Sequence, residues 1–140
     1  MIAVDSSVLF DILIGDADFA EASEACVGNA LAHDEVVVCA AVVAEVQAML
    51  DTSEDLMDIL ASVGIRFEPM GESAAMRAGH MNKRYRSRGG TRRERVVADF
   101  LVGAHALMQC DGLITRDAGF YRDYFKGLKL LVPAAQGATS

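Results

Sequence analysis

Short, continuously apolar runs alternate along this chain with longer stretches whose apolar residues recur every three or four positions. The first kind occupies residues 1–4, 35–39, 113–115 and 129–132, with 65–68 alternating apolar and polar instead. Rich in Val, Ile and Leu and bounded by Asp, Ser or Gly, these five read as strands. The second kind predicts helices: one through Val8, Leu9, Ile12 and Leu13, one over 19–33, and one over 42–50. Others follow through Leu56, Ile59, Leu60 and Val63, through Met76 and His80 to Tyr85, over 95–108, and over 119–124. Ser6 or Ser7 is expected to cap the first helix and Thr52 or Ser53 the fourth. Gly15-Asp16, Gly64 and Pro69 to Gly71 punctuate the series, and 87–91 (Ser-Arg-Gly-Gly-Thr) is a loop.

Strands that alternate with helices and are apolar on both sides belong in a parallel sheet covered on both faces. The expected class is α/β, a three-layer α/β/α arrangement with a parallel sheet, formed by one domain over 1–132 with a tail at 133–140. No apolar run approaches the roughly 20 residues a membrane-spanning helix needs. With no basic leader before the first strand, a cytoplasmic location is expected.

Four acids break the apolar pattern. Asp5 closes Ile2-Ala3-Val4; Glu45 lies within Val42-Val43-Ala44-Glu45-Val46; Asp99 precedes Phe100-Leu101-Val102; Asp117 follows Leu113-Ile114-Thr115-Arg116. An ionised carboxylate in apolar company is costly unless something compensates it. Taken singly, Asp5 and Asp117 also suit helix caps, and Glu45 and Asp99 suit solvated helix positions. Taken together, they converge on the carboxyl ends of the strands, where open α/β sheets place ligands. A shared divalent cation would account for all four. Oxygen-only donors suit Mg²⁺ or Mn²⁺ rather than zinc.

Composition changes this picture in one respect. The formal charge of −7 argues against a polyanion partner, yet Arg77, Lys83, Arg84, Arg86, Arg88, Arg92, Arg93 and Arg95 place eight of the thirteen Lys and Arg residues in one segment against a single acid, Glu94. Such a segment attracts phosphates locally, because exposed charges are screened beyond about 8–10 Å in salt. Arg84, Arg86, Arg88, Arg92 and Arg93 are candidate RNA-binding residues, with a solvated face or a contact to an acidic protein segment as rival roles. Tyr85 is a base-stacking candidate, although packing is the commoner role of a single aromatic. Cys26, Cys39 and Cys110 form no C-x-x-C pair and read as buried free thiols. His33, His80 and His105 are too scattered for a ligand set, and His105 reads as a satisfied core or interface histidine.

Ile2 to Leu9, Val42 to Val46, Val97 to Ala106 and Leu113 to Phe120, taken in order, resemble the PIN-domain family, and within it the VapC-type toxins of toxin–antitoxin pairs. The resemblance covers residues 1 to about 132. It implies a five-stranded parallel α/β/α fold and an Mg²⁺- or Mn²⁺-dependent endoribonuclease with Asp5, Glu45, Asp99 and Asp117 as its acidic, metal-binding catalytic site. It also implies supporting hydroxyls at Ser6 and Thr115, an antitoxin partner and a homodimer. Phe100-Leu101-Val102-Gly103 departs from the apolar Leu-Ile-Ala the family often shows after the third acid, and Gly103 leaves room for close helix–sheet packing. Two other readings stand beside this one. A catalytically silent PIN-like module binding RNA or protein is disfavoured by the presence of all four acids. A phosphoacceptor receiver domain would want an acid pair after the first strand, where this chain has Ser6-Ser7.

Overall fold

The computed structural model describes residues 1–51 and 53–134. Five strands, β1 (Ile2–Val4), β2 (Val36–Val38), β3 (Ile65–Phe67), β4 (Gly112–Ile114) and β5 (Leu130–Leu131), form one parallel sheet in the order β3-β2-β1-β4-β5. Every residue of β1, β2 and β4 is buried. Successive side chains of a strand point to opposite faces. Helices therefore cover both faces, which is the expected three-layer arrangement.

The helices are α1 (Ser6–Phe10), α2 (Ala20–His33), α3 (Ala40–Met49), α4 (Leu56–Ser62), α5 (Glu72–Ser87), α6 (Val97–Gln109) and α7 (Ala118–Tyr124). A π-helical turn, Asp11–Gly15, continues α1 and ends at Gly15, whose φ of 81° few residues other than glycine adopt. Several boundaries differ from those expected. The cap of α1 is Asp5, whose carboxylate accepts from the Ser6 backbone N–H, rather than Ser6 or Ser7. Helix α4 begins after Asp55, and its first N–H, at Leu56, is satisfied by the Gln47 side chain at 2.6 Å, so Ser53 does not cap it. Thr52 and residues 135–140 of the expected tail lie outside the described residues. The basic segment divides between the last turns of α5, the loop after it and the approach to α6, which begins at Val97.

Helices α5 and α6 pack closely, with Tyr85 against Phe100; α5 buries Ala74, Ala78 and Tyr85, and α6 buries Phe100, Val102 and Ala106 among others. The room at Gly103 is taken by the ring of Phe125: a Cβ there would lie 2.3 Å from it. Tyr85 is 8% exposed. Its ring meets Phe100 and Tyr124, and its hydroxyl donates to the Thr91 carbonyl at 2.8 Å and accepts from the Thr91 N–H at 3.0 Å. Those contacts pin the loop after α5 and leave the ring unavailable for base stacking. Of the three thiols, all free, only Cys39 is buried; Cys26 and Cys110 are half-buried. No helix of the described residues is long and apolar enough to cross a membrane.

His105 lies in the core of α6 at 1% exposure, but neither ring nitrogen has a hydrogen-bond partner among the described residues, against the expectation of a satisfied histidine. Burial pushes its pKa below the ordinary 6.5, while Glu68 pulls weakly the other way. An unsatisfied buried polar group costs about 1–3 kcal/mol. His105→Leu, which fills similar volume without polar atoms, is expected to raise unfolding stability by about 1–2 kcal/mol at pH 7. Because the folded pKa is depressed, the unfolded chain binds the proton first, and wild-type stability is lost as pH falls through and below 6.5. Urea unfolding between pH 5 and 8 should show the advantage of the Leu variant growing on the acid side.

Candidate acidic site

The carboxyl end of β1 delivers Asp5 directly into a buried position, 6% exposed. Its Oδ2 accepts from Thr115 Oγ1 at 2.7 Å and from Ser7 Oγ at 3.2 Å, while Oδ1 accepts from the Ser6 N–H at 2.8 Å. Thr115, fully buried one residue beyond β4, also accepts from the Asp117 backbone N–H at 2.9 Å, so one hydroxyl ties the ends of β1 and β4 together. Helix α3 starts at the carboxyl end of β2 and brings Glu45, whose Oε1 accepts from Ser6 Oγ at 3.4 Å. Asp99 occupies the first turn of α6 and accepts from the Val96 N–H at 2.9 Å. The last residue of α6 nearly abuts the start of β4, so α6 begins, roughly 18 Å away at 1.5 Å per residue, at the opposite edge of the sheet, beside Asp5.

These acids feel one another. Burial raises the pKa of Asp5 above the usual range against its three hydrogen bonds, and the charge of Asp99 adds to the rise. Glu45 is raised by burial, then by Asp99 and Asp5. Asp99 is raised by burial and by Asp117, against the Val96 N–H and Arg95. Tyr121, 2% exposed, is pushed far up by burial and by Asp5, Asp99 and Asp117 together. Asp117 alone has a strong counter-charge, a two-pronged ion pair with Arg95, whose guanidinium also lies 4.2 Å over the Phe120 ring. The four sequence-selected acids thus occupy one neighbourhood. Among the described residues, however, no three His, Cys, Asp or Glu side chains form a ready metal-ligand group. The donor set is still all oxygen, with surplus negative charge and raised pKa values, which is the chemistry a hard divalent cation relieves.

Sequence reasoning did not single out Arg95, Tyr121 or the Asp11–Arg116 pair. Asp11, 2% exposed in the π turn, accepts from Arg116 Nη2 at 2.7 Å and from Ser23 Oγ at 2.7 Å. Arg116 stacks over Phe19 at 4.0 Å, and its N–H donates to Ser7 Oγ at 3.4 Å. The segment carrying Thr115 and Asp117 is therefore clamped to α1 and α2. The only sequence signal was the position of Arg116 between Thr115 and Asp117. Nothing in the spacing distinguished Asp11 from a solvated helix residue.

The RNA-binding candidates Arg84, Arg86, Arg88, Arg92 and Arg93 are all exposed, but they do not form one surface. Arg86 and Arg92 line a depression with Asn82, Arg95, Val96 and Val97, next to the acids. Arg84 and Arg88 line a separate one on another side of α5. An apolar groove between Leu9, Leu13, Val27, Leu31, Ile59 and Val63 includes none of these acids in its lining.

A parallel α/β sheet with an acid cluster beyond its carboxyl edge defines the class. The chain belongs to the PIN-domain family: the family's sequence pattern matches residues 2–126. A comparison with curated protein sequences gave no match. Solved structures with the same fold include VapBC2 from Rickettsia felis bound to a promoter DNA fragment (16% identity, TM-score 0.70, covering 94% of this chain and 98% of that one). FitAcB from Neisseria gonorrhoeae aligns at 22% identity with a TM-score of 0.63, over 95% of this chain and 98% of its own. A toxin–antitoxin complex from Klebsiella pneumoniae aligns at 15% identity with a TM-score of 0.64, over 96% and 98%.

Proposed function

We propose that this chain is an Mg²⁺- or Mn²⁺-dependent endoribonuclease, the toxin of a type II toxin–antitoxin pair. The observation that carries the reading is the convergence of Asp5, Glu45 and Asp99, each with a raised pKa in part because of another, with Asp117 beside them. Asp5, Glu45, Asp99 and Asp117 would hold the cation. When bound, a divalent ion acidifies water and neutralises charge on a phosphodiester oxygen.

The chain's own groups do the rest. Ser6 bridges toward Glu45, and Thr115 fixes the Asp5 carboxylate and the Asp117 backbone, so neither acid can swing away freely. Tyr121 is buried near the acids and stays protonated beside them. Arg86 and Arg92, which share a depression with the Asp117 partner Arg95, would hold RNA phosphates, which positions a strand without reading its sequence. The toxin assignment, with an antitoxin partner and a homodimer, draws on the family and on the likeness to toxin–antitoxin complexes. All four acids are present and clustered, which favours an enzyme over a silent binding module.

Purified protein incubated with structured RNA should cut it in Mg²⁺ or Mn²⁺ and stop in EDTA, with activity restored on adding the metal back. Cleavage that persists in EDTA would overturn the metal-dependent reading. Binding of RNA without cleavage under any divalent ion would favour the silent module.

A further inference from the structure

On the face of α5 turned away from the Arg86–Arg92 depression lies a second cationic pocket of about 200 Å³. Arg77, Met81, Arg84 and Arg88, spaced four, three and four residues apart on α5 and its C-cap, form one wall. Asp123 and Tyr124 at the end of α7, with Lys126 just beyond, form the other. Four cations surround one acid in a chain whose net charge is −7. None of the four takes part in an ion pair among the described residues, whereas Arg66, Arg95 and Arg116 all do. Four like charges gathered around a concavity with a single acid among them repel one another, and an anion seated there relieves that repulsion.

We propose that this pocket is a phosphate subsite for the substrate RNA, distinct from the place of cleavage. The proposal rests on the endoribonuclease reading and deepens it. Helix α7 connects the two places: Asp117 caps its start and Tyr124 ends it, a span of about 10 Å at 1.5 Å per residue. At roughly 3.4 Å of axial rise per nucleotide of a stacked strand, a backbone passing the acids meets the pocket about three nucleotides away. Phosphate is favoured over a protein carboxylate by that continuity with the acids. Guanidinium groups also match phosphate with paired N–H donors. Tyr124, half-buried against Tyr85 and Phe100, gives the pocket a rigid floor.

The test is binding of a fluorescently labelled ten-nucleotide RNA to the full chain in EDTA, across a salt series, comparing wild type with Arg77→Ala/Lys126→Ala. Both side chains are exposed, so thermal unfolding should match wild type. The double variant is expected to bind five- to tenfold more weakly, with a log–log salt slope shallower by about 0.7, the loss of one single-strand phosphate contact. Arg66→Ala, in the edge strand β3, is a control for loss of a cation outside the pocket and should leave the slope unchanged. Unchanged affinity and slope in the double variant, with wild-type binding intact, overturns the subsite and leaves the nuclease reading standing. Absence of RNA binding by wild type overturns both. Weakened binding of an oligoglutamate peptide alongside undiminished RNA binding overturns the subsite in favour of an acidic protein partner.

Discussion

Asp99→Asn will abolish cleavage while making the metal-free protein more stable. Loss of a preorganised charged group at a reacting centre typically costs about 10²–10³-fold in rate, and a fall of about a thousandfold or more is expected here. The stability effect has the opposite sign. Asp99 carries a raised pKa in the fold, so its charged form is disfavoured there at neutral pH, and a neutral side chain of the same shape removes that cost. Asn retains an oxygen to accept from the Val96 N–H. Thermal melts in EDTA should therefore give the variant a higher Tm than wild type. Addition of Mn²⁺ should raise the wild-type Tm more than that of the variant. An Asn variant of wild-type activity would remove Asp99 from the proposed chemistry. The same linkage sets a pH dependence for the metal-free protein. Stability contributed by Asp5, Glu45 and Asp99 is fully present below their ordinary values of 3.8, 4.5 and 3.8. It is lost as pH rises through their raised folded values, so these three groups favour the fold on mild acidification, opposite in sign to His105.

Arg116→Met should be the most destabilising single change near the site. It leaves the Asp11 carboxyl group at 2% exposure with Ser23 as its remaining side-chain partner among the described residues. Breaking a buried pair by removing one partner costs about 3–5 kcal/mol. The guanidinium is itself 31% exposed, so the lower end, about 3 kcal/mol, is expected. The double variant Asp11→Leu/Arg116→Met removes both charges and should cost less than Arg116→Met alone, a non-additivity read by a double-mutant cycle in urea. If the double variant loses the sum of the two single losses, the pair is not coupled. Because Arg116 adjoins Asp117, the single variant should also lose activity under conditions where it remains folded.

The order of strands and helices, the parallel sheet buried on both faces and the four anomalous acids were all legible in the sequence. Their signals are local: apolar runs such as Val36–Val38 leave no polar face for water, and a carboxylate among Phe100, Leu101 and Val102 stands out against its neighbours. Cap positions were less legible, because Asp5 and Gln47 satisfy helix ends through contacts that depend on how the chain turns or on which segment lies alongside. What only the tertiary structure decided was pairing. The choice of Arg95 for Asp117 and of Arg116 for Asp11 joins residues 22 and 105 positions apart, and the division of the basic segment into two pockets follows from how α5 and α7 lie together. Tyr85 shows the same limit. Its sequence context left base stacking beside the commoner packing role, and the packing partners, Phe100 and Tyr124, come from α6 and α7. Periodicity reports whether a residue faces the interior; the partner it meets there is set by the packing of distant elements.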